Sequence, residues 1–222
     1  KRVVITGGMP YGNKSLHCGH ITLFIHSDFF ARFLRDRLGK DNVIYVSGTD
    51  CYGSPIMEGY RKAKDANKVT GTIEEYVESY HNLQESILNQ YNISLNIFGA
   101  SGIGEAKPIH QEMSNQVFNR LLETNNLSPL KTLQFYDEEK KTFLNGRQVM
   151  GKCPFEGCQS EHAYADECDL GHQYMPQELI DPVSSLSGKK PVLKEIGNWY
   201  FNLENYIGLL KQWTEYLDKN TP

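Results

Sequence analysis

Apolar residues near the start of the chain form one short run and then a helical pattern. The β-branched residues 3–5 are bounded by glycines and predict a buried parallel strand. Over residues 17–38 apolar side chains recur every three or four positions, which predicts a helix that ends at Gly39: Ile21, Phe24, Ile25, Phe29 and Phe33. A second strand is predicted over residues 42–47. The order strand, helix, strand predicts a right-handed βαβ unit.

Three further helices are predicted downstream. Thr72 and Glu75 form a capping-box pattern, and the helix that follows is expected to face the core through Tyr76, Tyr80, Leu83 and Ile87. The next helix carries Met113, Val117 and Leu121, and the last carries Tyr206, Leu210, Trp213 and Leu217. The charged run 137–141 predicts a solvated turn, and Lys189 and Lys190 are expected to be surface charge.

A glycine-rich break at residues 99–108 divides the chain. We therefore expect one domain over residues 1–112 and a second over residues 113–222. The net charge of −4 is no signature of a nucleic-acid binder, although a local basic patch is compatible with it. No apolar run is long enough for a membrane span and the N-terminus lacks a signal-peptide pattern, so we expect a cytoplasmic protein without a membrane partner.

The loop after the first strand leads directly into a helix N-terminus, where free backbone N–H groups and the helix dipole favour phosphate. Gly7 and Gly12 have P-loop spacing, but Asn13 stands where that loop needs a lysine, and Pro10 removes a backbone donor. His17 and His20 are three residues apart and are expected to stand together on one helical face.

Several residue types around this loop suit a nucleotide. Either histidine could donate to phosphate oxygens, and Gly19, which has no Cβ, leaves room for an adenine or ribose. A histidine pair is also compatible with a metal site or a plain surface, but the i, i+4 spacing and third ligand typical of a metal site are missing. Asp50 follows the second strand, at the sheet edge where ligands bind in open α/β folds.

Taken together, these segments resemble the class I aminoacyl-tRNA synthetases, and their flanks resemble the methionyl-tRNA synthetase family. The signature turn and tetrapeptide correspond to residues 9–14 and to His17-Cys18-Gly19-His20, and the second-strand motif corresponds to residues 48–53. Further family motifs follow in order at residues 143–154 and 176–180. The resemblance spans nearly the entire chain.

The resemblance implies an α/β fold. Residues 1–112 would form the first half of a Rossmann-type parallel sheet with helices on both faces, and residues 113–222 an inserted connective domain with a zinc-knuckle-like segment at 153–172. The implied reaction joins methionine to ATP, which forms methionyl-adenylate, and then transfers methionine to tRNA(Met).

The same resemblance implies residue roles. His17 and His20 would be catalytic and would bind ATP together with Asn13 and Gly19. The amino acid would be bound by Met9, Tyr11, Asp50 and Tyr52, with Asp50 holding its ammonium group. Mg²⁺ is implied by ATP chemistry. Tyr52 replaces the family's histidine in the substrate pocket, so a synthetase for another amino acid is an alternative.

Three of the five cysteines lie between residues 153 and 168, which favours a metal knuckle of reduced thiols over disulfides. Cys153, Cys158 and Cys168 supply three zinc ligands, and His172 or His162 could supply the fourth. The alternative is a knuckle that has lost its metal and keeps its shape by packing.

The family's Lys-Met-Ser-Lys-Ser motif, the rest of the methionine pocket and the anticodon-binding domain are not found in these 222 residues. We therefore expect the chain to be the N-terminal portion of a longer synthetase. The alternative from another class is a free-standing synthetase-like module that binds a nucleotide, an amino acid or a protein without charging tRNA.

Overall fold

The structure is a computed structural model that describes residues 1–220. The chain divides into two compact units, Lys1–Glu112 and a second that starts at Met113. The boundary falls inside a helix, Ala106–Glu123 (α4). In the part of the chain that is described, no helix combines the length and apolarity needed to cross a membrane.

The first unit is built on a three-stranded parallel sheet. Its strands, Val3–Thr6 (β1), Val43–Thr49 (β2) and Ile97–Ala100 (β3), lie in the order β1-β2-β3. Helix α1, Cys18–Leu38, connects β1 to β2, and helices Ser54–Asp65 (α2) and Ile73–Gln90 (α3) connect β2 to β3. The predicted mixed α/β fold with a parallel βαβ unit is confirmed.

The predicted span of α1 is correct, but its predicted core face is only partly so. Ile21 and Phe24 are buried, whereas Ile25, Phe29 and Phe33 are 44%, 74% and 46% exposed. The buried stripe continues instead through Asp28 and Ala31. A buried carboxylate is tolerated there because Asp28 accepts hydrogen bonds from Arg32 and Ser94, and these bonds hold its pKa below the ordinary value despite the opposing effect of burial.

Helix α3 begins with the predicted capping box, in which Thr72 and Glu75 bond to each other's backbone N–H groups. The prediction that Leu83 faces the core is wrong, because this side chain is 42% exposed. Tyr76 is buried as predicted, and the other buried positions are Val77, Gln84 and Leu88. A polar residue therefore occupies the centre of this face.

One side of β2 is covered, and the other side is open at the start of the strand. Helices α1 and α3 both contact β2, and the side chains of Val43 and Tyr45 on this strand are buried. Val4 and Ile44 are register partners on the opposite side, and they are 65% and 45% exposed.

The second unit is mainly antiparallel. Strands Leu127–Asp137 (β4), Thr142–Phe143 (β5) and Val192–Phe201 (β8) form a sheet in the order β5-β4-β8, and Val149–Lys152 (β6) pairs with Ile180–Ser184 (β7). Short 3-10 turns lie at Gly146–Gln148 and Pro176–Glu178. The last helix, Ile207–Asn220 (α5), follows a turn at Leu203–Tyr206, so Tyr206 precedes the helix that it was expected to join.

The predicted solvated turn over residues 137–141 is wrong at its first residue. Asp137 is 2% exposed, and its carboxylate accepts hydrogen bonds from the hydroxyls of Ser184 and Ser187 and from the N–H groups of Glu139 and Lys140. These bonds, those of Ser184 and Ser187 first, lower the pKa of Asp137 to about 2. Asp137 therefore anchors the β4–β5 turn to the end of β7 and to the loop that follows it.

Candidate functional site

The loop after β1 lies directly against the carboxyl end of β2. The N–H of Asp50 donates to the carbonyl of Pro10 at 2.8 Å, and the N–H of Gly12 donates to the carbonyl of Asp50 at 2.8 Å. Gly12 is closely packed, because a Cβ at that position would lie 2.7 Å from Cγ1 of Val77 on α3 and 3.1 Å from Cγ2 of Thr49 on β2. The signature turn and the second-strand motif thus form one edge, as the parallel order predicts.

His17 and His20 are held together by the start of α1. His17 is the N-cap residue, and its Nδ1 accepts from the N–H of Gly19 at 3.1 Å. The Nδ1 of His20 accepts from the N–H of His17 at 3.3 Å, and the two ring centroids are 3.8 Å apart. A neutral imidazole whose Nδ1 accepts carries its proton on Nε2. The capping bonds therefore leave each ring with an Nε2–H donor for other partners.

Burial and nearby basic groups favour the neutral form of His20. Partial burial, followed by the nearby His17 and Lys14, lowers the pKa of His20 below its ordinary value. A neutral ring is the form that the capping box needs, because a proton on Nδ1 would cancel its role as an acceptor.

The structure supplies a reason for Gly19 besides the predicted room for a nucleotide. A Cβ on Gly19 would lie 3.0 Å from Cε1 and 3.1 Å from Nδ1 of His17, so the histidine ring would have to shift. The absent side chain therefore makes space for the capping ring. The predicted contact of Gly19 with ATP stays a prediction.

Asn13 ties the loop to the protein interior. Its Nδ2 donates to the carbonyl of Pro55 in the first turn of α2 at 2.8 Å, and its backbone carbonyl accepts from the hydroxyl of Tyr76 at 3.5 Å. The Oδ1 atom is buried and has no hydrogen-bond partner among residues 1–220. The observed role of Asn13 is to hold the turn, and its predicted ATP contact stays a prediction.

The residues predicted to bind the amino acid lie around the end of β2. Met9, Tyr11 and Tyr52 are 48%, 38% and 45% exposed. Oδ1 of Asp50 accepts from the N–H of Tyr52 at 3.0 Å, which orients the carboxylate without removing its charge. The ring of Tyr52 stacks on His110 with centroids 5.6 Å apart.

A cavity of about 320 Å³ is lined in part by residues 51–53. Its apolar lining includes Ile56, Val77 and Ile103. The lining also contains Glu74 and Lys107, which form an ion pair at 2.8 Å. The loop that carries Asp50 therefore has an open, mostly apolar space on one side.

A buried polar group that was not predicted from the sequence lies under this loop. Gln84 and Thr49 are both fully buried, and Oγ1 of Thr49 lies 2.7 Å from Oε1 of Gln84 and 2.9 Å from Nδ1 of His81. The available signal was a glutamine seven residues after Val77 and four before Leu88, on the apolar stripe of α3.

The predicted zinc ligands in the second unit come together. One potential ligand atom from each of Cys153, Cys158, Cys168 and His172 lies within 4.8 Å of all the others, whereas His162 is outside this group. Nδ1 of His172 is 3.6 Å from Sγ of Cys153 and 3.5 Å from Sγ of Cys168. In a tetrahedral site with ordinary Zn–S and Zn–N bond lengths, the sulfur–nitrogen edge is about 3.6 Å. The spacing of His172 from two of the thiols therefore matches that of a zinc site.

The surroundings also suit a bound metal. The ring of Phe155 stacks on His172 with centroids 4.6 Å apart and fixes its orientation. Burial opposes ionisation of Cys168, but hydrogen bonds from the N–H groups of His172 and Leu170 outweigh it and lower the pKa of this thiol to about 6, whereas burial raises the pKa of Cys153. A thiolate is the form that zinc binds.

The family was identified by comparison with known proteins. The model of the tRNA synthetases class I (M) matches residues 3–222, and the chain belongs to this family. The resemblance inferred from the sequence is thereby confirmed. A curated relative from Bacteroides fragilis, named methionine–tRNA ligase, is 34% identical over 96% of this chain. The chain spans about 30% of the length of that relative.

Solved structures support the fold. The chain is similar to Mycobacterium tuberculosis methionyl-tRNA synthetase in complex with methionyl-adenylate, with 17% identity and a TM-score of 0.62 over 99% of this chain and 35% of that one. It is equally similar, at 17% identity and a TM-score of 0.62, to a LeuRS–tRNA–LeuAMS complex from Agrobacterium radiobacter K84, with 98% of this chain and 22% of that one covered. The fold alone therefore does not distinguish one amino acid from another.

Proposed function

We propose that this chain carries the N-terminal half of the active site of a methionine–tRNA ligase. The observation that supports this most directly is the pair of Nε2–H donors at the start of α1, next to the loop that carries Asp50. The amino acid is suggested by the relatives named methionine–tRNA ligase. Methionine, ATP and tRNA(Met) are the proposed substrates, and the cytoplasm is the proposed location.

The proposed first step is adenylation. A carboxylate oxygen of methionine bonds to the α-phosphorus of ATP, and the bond from that phosphorus to the pyrophosphate oxygen breaks. His17 and His20 donate from Nε2 to phosphate oxygens, where negative charge develops, and the N-terminus of α1 adds its positive dipole end. Donors already oriented by the capping box need no rearrangement during the reaction.

Asp50 is proposed to bind the ammonium group of methionine, with Met9, Tyr11 and Tyr52 around the side chain. The carboxylate is oriented by the N–H of Tyr52, and a thioether suits a pocket that contains a methionine and aromatic rings. Asn13 and Gly19 are proposed to shape the ATP site. Mg²⁺ is proposed to accompany the ATP phosphates, although the described residues offer no carboxylate cluster beside the histidines to hold it.

Methionine-dependent ATP–pyrophosphate exchange by the complete gene product tests this function. We expect exchange with methionine, and in the Asp50→Asn variant a KM for methionine at least about tenfold higher, because a charge-assisted hydrogen bond contributes roughly 1.5–3 kcal/mol. The KM for ATP should change little. Asparagine keeps an acceptor for the N–H of Tyr52, so the loop is preserved.

Two outcomes would contradict the proposal. Exchange with another amino acid but not with methionine would identify a synthetase paralogue, as the Tyr52 replacement allows. Nucleotide binding without exchange for any amino acid would favour the synthetase-like binding module.

We also propose that Cys153, Cys158, Cys168 and His172 bind one structural zinc ion in the proposed connective domain over residues 113–222. A closed site with four protein ligands stabilises the fold and leaves no position for catalysis. Purified protein should contain about one zinc per chain. Cys158→Ser should lose most of it, whereas Cys18→Ser, at a cysteine outside the cluster, should retain it. Equal zinc content in both variants would contradict this assignment.

A further inference from the structure

Gln84 joins the signature turn to the end of β2. The side chain lies on α3 and is fully buried. Its Nε2 group donates to two carbonyl oxygens of the turn, that of Tyr11 at 2.9 Å and that of Lys14 at 3.0 Å. Its Oε1 accepts from the hydroxyl of Thr49, the last residue of β2, at 2.7 Å.

The direction of these bonds follows from the groups involved. Carbonyl oxygens can only accept, so the amide nitrogen of Gln84 must face Tyr11 and Lys14, and its oxygen must face Thr49. The single hydroxyl proton of Thr49 is then used on Gln84, so Nδ1 of His81 supplies the proton for the 2.9 Å contact with Thr49. The donors therefore follow one direction, from His81 to Thr49, from Thr49 to Gln84, and from Gln84 to the turn.

The two carbonyls lie on either side of Gly12 and Asn13, so Gln84 grips both ends of the turn. Gly12 is bonded to Asp50 by its N–H, and Asn13 is bonded to α2 by its side chain. Each residue from Tyr11 to Lys14 is thus tied to a neighbouring element. Gln84 is the one side chain of residues 1–220 shown to bond both to the turn and to β2.

We propose that Gln84 is a positioning residue, which, through Thr49, holds the turn at residues 11–14 in register with Asp50. It touches no substrate. It sets the distance between the turn that leads to His17 and the carboxylate after β2. The expected effect of Gln84 on the reaction rests on the proposed function. The expected effect of Gln84 on the position of the turn does not.

The test compares four variants of the complete gene product. Gln84→Met removes the amide at similar volume, Thr49→Val removes only the hydroxyl, and Thr49→Ser keeps it. Gln90→Met is the matched control, because Gln90 lies at the exposed end of the same helix. Hydrogen–deuterium exchange of residues 9–16 and of Asp50 reports the turn, and ATP–pyrophosphate exchange reports the reaction.

We expect Gln84→Met and Thr49→Val to accelerate deuterium exchange at Gly12 and Asp50 and to lower kcat by about 10- to 100-fold, because small misplacements of reacting groups are costly. Thr49→Ser, which keeps the hydroxyl, should retain most of the wild-type kcat. Gln90→Met should behave as wild type. The thermal midpoint of unfolding separates this effect from general destabilisation.

The proposal is overturned if Gln84→Met and Gln90→Met show the same rate of deuterium exchange over residues 9–16. It is also overturned if Gln84→Met accelerates deuterium exchange uniformly over the first unit. It is also overturned if Thr49→Ser is as impaired as Thr49→Val. Absence of methionine-dependent exchange in the wild type would instead refute the proposed function, and the deuterium measurement would still decide whether Gln84 holds the turn.

Discussion

Replacement of Gly19 by alanine separates the stability of α1 from the arrangement of its histidines. Gly19 is the second residue of the helix, and the new Cβ would lie 3.0–3.1 Å from the ring of His17. That spacing requires the ring to move by a few tenths of an ångström. The bond from the N–H of Gly19 to Nδ1 of His17 would be weakened, and Nε2–H would point elsewhere.

The expected stability change is small because two effects oppose each other. Loss of a side-chain N-cap bond costs about 1 kcal/mol. Replacement of glycine by alanine within a helix gains up to about 1 kcal/mol. The catalytic change is not compensated in this way. Loss of one hydrogen bond to a charged phosphate costs about 2 kcal/mol, which is roughly thirtyfold in rate.

The control is Gly208→Ala. Gly208 is also the second residue of its helix, α5, and among residues 1–220 a Cβ there would meet no atom within 4 Å outside the adjacent helix backbone. Methionine-dependent ATP–pyrophosphate exchange and the thermal midpoint should be measured for both variants of the complete gene product. We expect Gly19→Ala to lose activity with little change in the midpoint, and Gly208→Ala to keep its activity. Exchange by Gly19→Ala within about twofold of the wild type would refute the argument that Gly19 makes space for His17.

Three further predictions concern stability and ionisation. Because the pKa of His20 is lowered, the stability contributed by its neutral ring should be complete above about pH 6.5 and lost as the pH falls below that value. An NMR titration of His20 with a midpoint above about pH 6.5 would contradict this prediction. Because the pKa of Asp137 is lowered to about 2, the stability contributed by its carboxylate should be complete above pH 3.8 and lost as the pH falls toward 2. Asp137→Asn should remove this pH dependence of stability in acid unfolding measurements. An acid unfolding profile that the substitution leaves unchanged would contradict the prediction. Gly48→Ala should destabilise the first unit by about 3 kcal/mol, because its Cβ would lie 2.5 Å from the carbonyl oxygen of Gly99 on β3. The control Gly197→Ala, at an open strand position, should cost much less stability. Equal urea midpoints for the two variants would exclude this clash.

Local patterns in the sequence predicted the elements that depend on neighbouring residues. The first strand, the span of α1 and the capping box at Thr72 are set by hydrophobic runs, helical spacing and side chains three residues apart, all of which are local. The pairing of His17 with His20 belongs to the same group, because one helical turn brings them together. The spacing of the cysteines predicted a set of zinc ligands, and the structure brings the ligand atoms of that set together.

Tertiary contacts decided which side chains are buried. Apolar spacing alone could not show that Phe29 is exposed while Asp28 is buried, because Asp28 is satisfied by Ser94, which is 66 residues away. In the same way, Asp137 is enclosed by serines about 50 residues downstream. A buried polar group is stable only where such distant partners satisfy it, and no local pattern reports them.

The site shows the same division. The sequence by itself determined which residues are present at the signature turn and after the second strand, and therefore the family and the proposed chemistry. Only the tertiary structure showed that Gln84 on α3 connects the two, since the turn and Thr49 both lie far from Gln84 along the chain. Hydrogen bonds between distant segments form only once the fold has brought those segments together, so periodicity and spacing do not contain them.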